Sequence, residues 1–349
     1  MAARRRGVRA GGPRGGRRLA RRPRQRTRLP AAAPRPGAAR APRVAPPRGR
    51  AVRESHGPGS EWLCARLPCA PDRHDELLVH HLPELLAGLP EGVDRWFYLR
   101  HPYPEPHLRL RFHGDPGGLA ARLLPVLARW ADGRAAAGLA GPLVLDGYRP
   151  EPERHGGPAA IEAAERVFAA DSRCCLLQLR LLRERRLDVS APVLAAANYV
   201  DLAQHFGDPQ HLRRRCLTTE RHALPAADRA QARALIDPRG RWERLAELPG
   251  ADELLAAWQE RAAALARYRA RLDPRWSTPD TALSALLHLH HNRLLGADRT
   301  AEERSLAPAR RTVRAYWSRE AARSAAGTPR SPDVPSTDRH PTILPGAAL

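Results

Sequence analysis

Between His107 and His113 the chain alternates without a break: His107, Arg109, Arg111 and His113 fall on one face of an extended strand, and Leu108, Leu110 and Phe112 on the other. One face is cationic and the other is core. Two arginines at i and i+2 set planar guanidinium forks side by side, a geometry suited to gripping a carboxylate or phosphate by paired hydrogen bonds. The solvated face of an antiparallel sheet would carry the same alternation and is the ordinary reading of such a strand, but two aligned histidines and the neighbouring Pro-rich turn weaken it here.

A second cluster runs from Tyr148 to Gly157 and holds Arg149, Glu151, Glu153, Arg154 and His155. Paired glycines before a helix leave backbone N–H groups open to an anion, with Arg154 beside them, although a simple capping loop would look much the same. The third cluster, Ser284–Arg293, carries His288, His290, His291, Asn292 and Arg293. At about 100° per residue, His290 shares a seam with Leu283, Leu287 and Leu294, which marks it as a hydrogen-bonded core histidine. His288 points elsewhere, near Ser284, where an imidazole can reach a cleft and carry protons near neutral pH. His288 and His291 stand one turn apart, but no third ligand at metal-like spacing accompanies them, so no metal is expected. HExxH, Walker A, GxSxG and dinucleotide-binding motifs are all missing, and no cofactor is expected.

These clusters need elements to position them. Trp62–Leu67 reads as a strand, and His74–Ala87 as a helix with a leucine stripe and a bend at Pro83. Asp94–Arg100 and His107–His113 read as strands joined through Pro102, Pro104 and Pro106. A helix follows with Leu119, Leu123, Leu127 and Trp130 in register, stopping near Gly133, and then a fourth strand over Leu143–Tyr148. The order β-α-β-β-α-β is the split pattern that gives an antiparallel sheet with helices on one face. From Pro158 the chain reads as mainly helical, with helices toward Leu182 and over Ala191–Phe206, Asp252–Leu272, Pro279–Leu295 and Ala301–Ala322. The fold class is therefore α+β, a split sheet followed by a helical C-terminal half.

Composition sets the outer bounds. The first sixty residues contain 18 Arg and one Glu, so they supply 18 − 1 = +17 of the formal +22. Residues 1–57 lack large apolar side chains and read as a disordered arm, 58–323 as the folded domain and 324–349 as a loose tail. A polybasic arm can bind RNA or an anionic membrane. The chain has no lysine, however, and its Arg, Ala, Pro and Gly bias points to GC-rich coding DNA and a start codon set too far upstream. Direct nucleic-acid binding is not expected. No apolar run approaches the ~20 residues that span a bilayer, so a cytoplasmic protein is expected. Cys64, Cys69, Cys174, Cys175 and Cys216 form neither a disulfide framework nor a zinc pair.

Three segments taken together resemble a known family. They are Trp96–Arg100 with Pro106–Phe112, then Pro150–Gly157 with Ala163-Ala164-Glu165 and Asp171-Ser172, and Leu287–Leu294. Their order and spacing are similar to the C-terminal elimination domain of lantibiotic dehydratases, which also occurs in thiopeptide-type bacteriocin biosynthesis proteins. The resemblance covers roughly Trp62 to Ala322. It implies an enzyme that expels glutamate from glutamylated Ser or Thr of a precursor peptide, leaving dehydroalanine or dehydrobutyrine. A separate dehydratase partner using glutamyl-tRNA would make the ester, and the family also suggests a homodimer. The resemblance gives catalytic roles to His288, Arg109, Arg111 and Arg154. It places Glu151 in the same motif, and Glu151, His107 and Arg293 are expected to bind substrate. His155 stands where the family often has Tyr. The same resemblance leaves two alternatives, a thiopeptide pyridine synthase that joins dehydroalanines in a [4+2] cycloaddition, and a non-catalytic precursor-peptide-binding subunit.

Overall fold

A computed structural model describes residues 55–214 and 225–327; the Arg-rich arm to residue 54, Cys216 and the tail from 328 lie outside the described residues. The first half is a four-stranded antiparallel sheet made of β1 (Trp62–Pro68), β2 (Val93–His101), β3 (His107–Gly114) and β4 (Val144–Asp146), in the order β2-β3-β1-β4. This is the arrangement a split β-α-β-β-α-β chain must adopt when both crossovers lie on one face. Helix α1, built of Pro71–Arg73, His74–Glu76, Leu77–His81 and Leu82–Ala87 in succession, joins β1 to β2. Helix α2, built of Pro116–Gly118, Leu119–Leu123 and Leu124–Ala136, joins β3 to β4. The alternate residues Leu63, Ala65, Leu67, Leu108, Leu110 and Phe112 are buried together with Leu77, Leu78, Leu123 and Leu127 of the two helices.

Both crossover helices widen by one residue just before a proline. Leu82 N–H bonds to Leu77 C=O ahead of Pro83, and Leu124 N–H bonds to Leu119 C=O ahead of Pro125. Proline cannot donate to the carbonyl four residues back and its ring would strike it, and a π-turn removes that conflict while the rod continues. Gly133 does not stop α2, which runs on to Ala136 before Gly138 takes a left-handed φ of 69°. The fourth strand is shorter than its apolar run suggested, because Tyr148 leaves the sheet and bridges His56 instead.

The second half holds α3 (Ile161–Arg183), α4 (Ala191–His205), α5 (His211–Arg214), α6 (Ala226–Leu235), α7 (Glu243–Ala246), α8 (Ala251–Arg271), α9 (Pro279–Leu295) and α10 (Arg299–Gly327). Thr278 caps α9, its hydroxyl accepting from Thr281 N–H at 3.2 Å, with Pro279 in the first turn. Pro158 lies in a turn before α3 and does not start it; Gly157 C=O accepts from Ala160 and Ile161 N–H there. The short helices between α4 and α8 have weak apolar periodicity and were not foreseen. Helix α3 packs on β2, α8 and α9, so it ties the two halves together. Among the described residues no helix is long and apolar enough to cross a membrane.

Candidate active site

The face of the sheet turned away from α1 and α2 carries Arg66 of β1, Arg109 and Arg111 of β3 and Asp146 of β4. The register aligns Cys64 with Arg111, Arg66 with Arg109, and Phe97 with Arg111, and residues opposite each other in an antiparallel pair share a face. Arg66 Nε lies 3.3 Å and Arg109 Nη2 3.9 Å from the same Asp146 Oδ2. Arg111 pairs with no carboxylate among the described residues. Its guanidinium lies over the Tyr148 ring at 4.6 Å and near Phe97 at 5.4 Å. Arg66 and Arg109 thus share one carboxylate, and Arg111 stands beside them. Burial and the like charge of Arg111 pull the Arg109 pKa down, the signature of cations crowded without enough counter-charge.

The platform under Arg111 is itself held. Tyr148 O–H donates to Glu165 Oε1 at 2.8 Å, and Arg95 Nη2 donates to Glu165 Oε2 at 3.1 Å. Trp62 and Phe97 pack against the Tyr148 ring at 4.5 and 6.1 Å. The ring therefore has one orientation, and so does the cation resting on it. His107 backs Arg109: it is 1% exposed, its Nδ1 bonds to Glu105 C=O at 2.8 Å, and its Nε2 stands 3.5 Å from Arg109 Nη2.

The loop after Tyr148 departs from expectation in two ways. Gly156 and Gly157 have φ of 83° and 92°, and a Cβ on them would lie 2.3 Å from Leu272 Cδ2 and 2.6 Å from Trp276 Cδ1. Gly157 N–H is spent on Pro152 C=O at 2.7 Å. The pair is there for close packing in left-handed backbone, with the second N–H already committed. Gly157→Ala should lower the thermal midpoint, corresponding to a loss of about 1–3 kcal/mol, and an unchanged melting curve would contradict this account. Arg154 and Glu151 both stand exposed and pair with each other at 3.2 Å, with no hydrogen bond or ion pair to the strand arginines. His155 is buried against Phe168 with its Nδ1 lacking any partner. Burial, and then Arg154, Arg293 and Arg111, push its pKa down to about 3.

Arg293 belongs to a buried network. Its Nη1 donates to Asp171 Oδ2 at 2.9 Å and its Nε to Tyr98 C=O at 3.2 Å. Arg261 spans Asp171 at 2.7 Å and Asp201 at 2.8 Å. His290 is fully buried, and since a carboxylate only accepts, its Nδ1–H donates to Asp171 Oδ1 at 2.8 Å, the core role its helical seam predicted. Asp171, Cys175 and His290 stand close enough to hold a metal ion. Two guanidinium groups on the same carboxylate oppose a cation there.

Beside this network, Asn292 accepts from Arg100 N–H at 2.9 Å and donates to Arg100 C=O at 2.7 Å, while Ser172 Oγ accepts from Tyr98 N–H at 3.2 Å. The outer edge of β2 is thereby bonded by side chains of α3 and α9. Tyr98 O–H and Arg100 Nε in return donate to Arg293 C=O, a helix-end carbonyl of α9 that would otherwise lack a partner.

His288 is on the exposed side of α9, and its Nδ1 lies 2.9 Å from Glu302 Oε2 of α10. No hydrogen bond or ion pair joins it to Arg109, Arg111 or Arg154 among the described residues. His291 turns inward to Tyr199 O–H at 2.7 Å, so the two histidines do not share a ligand. Arg66, Asp146 and Glu302 were not foreseen. Arg66 was legible as the alternate neighbour of Cys64 on β1, whereas Glu302 is brought in only by the turn at Gly296.

A split sheet with an arginine-rich face, bonded to a helical half through buried charge, defines an α+β domain. The chain belongs to the lantibiotic biosynthesis dehydratase C-terminal family, whose model matches residues 62–313. It is 27% identical over 265 residues to the subtilin biosynthesis protein SpaB of Bacillus subtilis, covering 73% of this chain and 26% of that protein. It is 30% identical over 151 residues to the nisin biosynthesis protein NisB of Lactococcus lactis subsp. lactis, covering 43% of this chain and 15% of that one. The chain thus spans about a quarter or less of the curated relatives it matches. The tRNA-dependent lantibiotic dehydratase MibB from Microbispora sp. 107891 superposes at a TM-score of 0.69 with 29% identity, over 79% of this chain and 29% of MibB. The pyridine synthase TbtD from thiomuracin biosynthesis shares the fold at a TM-score of 0.51 with 17% identity, over 74% of this chain and 99% of that one.

Proposed function

We propose that the chain carries out the elimination half of peptide dehydration: it removes glutamate from glutamylated Ser or Thr of a ribosomal precursor peptide, leaving dehydroalanine or dehydrobutyrine. A separate dehydratase partner that draws glutamate from glutamyl-tRNA would supply the ester. The observation that carries this reading is the arginine face, where Arg66 and Arg109 share the carboxylate of Asp146 and Arg111 beside them pairs with no carboxylate among the described residues. Such a surplus of fixed, partly sheltered positive charge suits a ligand that brings its own carboxylate, and a glutamyl group does.

In this reading Arg109 and Arg111 hold the glutamyl carboxylate and the charge that grows on the peptide carbonyl as the Cα proton departs. Arg111 cannot tilt off its aromatic support, so its donors need no reorganisation as that charge develops. An exposed ion pair such as Glu151–Arg154 costs at most about 1 kcal/mol to open, so Arg154 can turn from Glu151 to the ligand. His288 takes the proton. The peptide carbonyl is bonded to the Cα that loses its proton, so in this reading the arginines and His288 must approach the same ester when the peptide binds.

The decisive experiment is mass spectrometry of a glutamylated precursor peptide incubated with the purified chain. Loss of one glutamic acid per modified site is expected. Release of the leader with formation of a macrocycle would mean cycloaddition instead, and an unchanged peptide that still binds would mean a binding subunit. Arg111→Ala should slow glutamate loss by about 10²–10³-fold, and Arg111→Lys should recover little of it, because a point charge does not replace a planar fork.

A further inference from the structure

Helices α9 and α10 meet at the turn around Gly296, and that turn brings Glu302 to His288 across fourteen residues of sequence. The two partners are unequally sheltered: the Glu302 side chain is 13% exposed and that of His288 is 47% exposed. A carboxylate can only accept, so at 2.9 Å the proton of the neutral ring must sit on Nδ1, which leaves Nε2 as the bare nitrogen. Resting on the elimination reading above, we propose that Glu302 is a positioning residue that fixes His288 in the tautomer whose Nε2 lone pair receives the Cα proton.

Burial would raise the Glu302 carboxyl, but His288, and then His291, hold it below its usual value, so it stays ionised at neutral pH. The step balances without any further reactant. The Cα–H bond breaks and its proton goes to His288 Nε2, while the electron pair forms the Cα–Cβ double bond. The Cβ–O bond breaks and its electrons leave with the glutamate carboxylate, and the imidazolium returns its proton to solvent. Glu302 keeps its charge throughout and stabilises the imidazolium while it exists.

A merely structural pair at this exposure would leave the chemistry alone. The test is Glu302→Gln in the full chain, acting on glutamylated precursor peptide. A glutamine amide can donate to Nδ1 and so put the ring proton on Nε2, the wrong atom. The expected result is a kcat lower by about 10²–10⁴-fold, with KM and the thermal midpoint unchanged, and partial rescue in Glu302→Asp. Glu302→Gln at the wild-type rate, beside an active wild type, overturns this inference and leaves the elimination reading intact. A wild type that releases no glutamate overturns both. A readout independent of turnover is the nitrogen NMR pattern of His288, which should show protonated Nδ1 in the wild type; protonated Nε2 there sinks the proposal.

Discussion

Asp171→Ala should abolish the cooperative thermal transition of the protein. Asp171 is 2% exposed and receives Arg261, Arg293 and His290 on its two oxygens. Burial alone would raise this carboxyl, but His290 and the two arginines hold it far below the usual range. Removing it leaves Arg293 without a carboxylate partner in the interior and Arg261 with Asp201 alone, and breaking a buried pair in this way costs about 3–5 kcal/mol. Here one carboxylate serves both cations, so the loss should reach the upper end. Arg293 also bonds the edge of β2, and its release loosens the joint between the sheet and the helical half. Adding Arg293→Met to Asp171→Ala should restore part of the transition, since the stranded charge is gone. A single mutant that melts like the wild type would show that the network contributes little.

Acid should destabilise the fold well before its carboxylates titrate. His74, His155 and His291 are buried, and burial is the largest cause holding their pKa values at about 4, 3 and 4. In the unfolded chain each would titrate near 6.5. Above that pH both states are neutral and the full stability is present. Between 6.5 and 4 the unfolded chain takes up protons that the fold refuses, so stability falls as pH falls, by up to about 1.4 kcal/mol per pH unit for each histidine. Glu165, raised by burial, works in the opposite sense and softens the slope. Three such groups are enough to exhaust the margin of an ordinary domain. Denaturant titrations from pH 7 to pH 4 should show a steep decline, and His155→Phe should flatten it; stability that is level across this range would rule the account out.

How much was legible beforehand depended on the range of the interaction. Strand β3 stood out because burial of one face imposes period two on Leu108, Leu110 and Phe112, and its arginines were visible by the same logic. His290 was readable as core from helical phase alone. What could not be read were partners set by tertiary approach. Nothing near Arg293 in sequence announces Asp171, and nothing near His288 announces Glu302. The glycine pair misled for a related reason. Its motif fits an anion loop and a tight packing corner equally well, and only Leu272 and Trp276, brought from the far side of α8, decide between them. The helices between α4 and α8 escaped because short amphipathic segments carry too few periods to rise above composition.

The side-chain bonds that Asn292 and Ser172 make along β2 also determine how the chain can be divided. A fragment ending before α9 would keep all four strands and Ser172 yet leave Arg100 N–H, Arg100 C=O and Tyr98 C=O without their partners along one margin. Bare strand margins recruit other strands, and copies of such a fragment would join through theirs into insoluble polymer. The helical half is therefore what keeps the sheet a solitary unit.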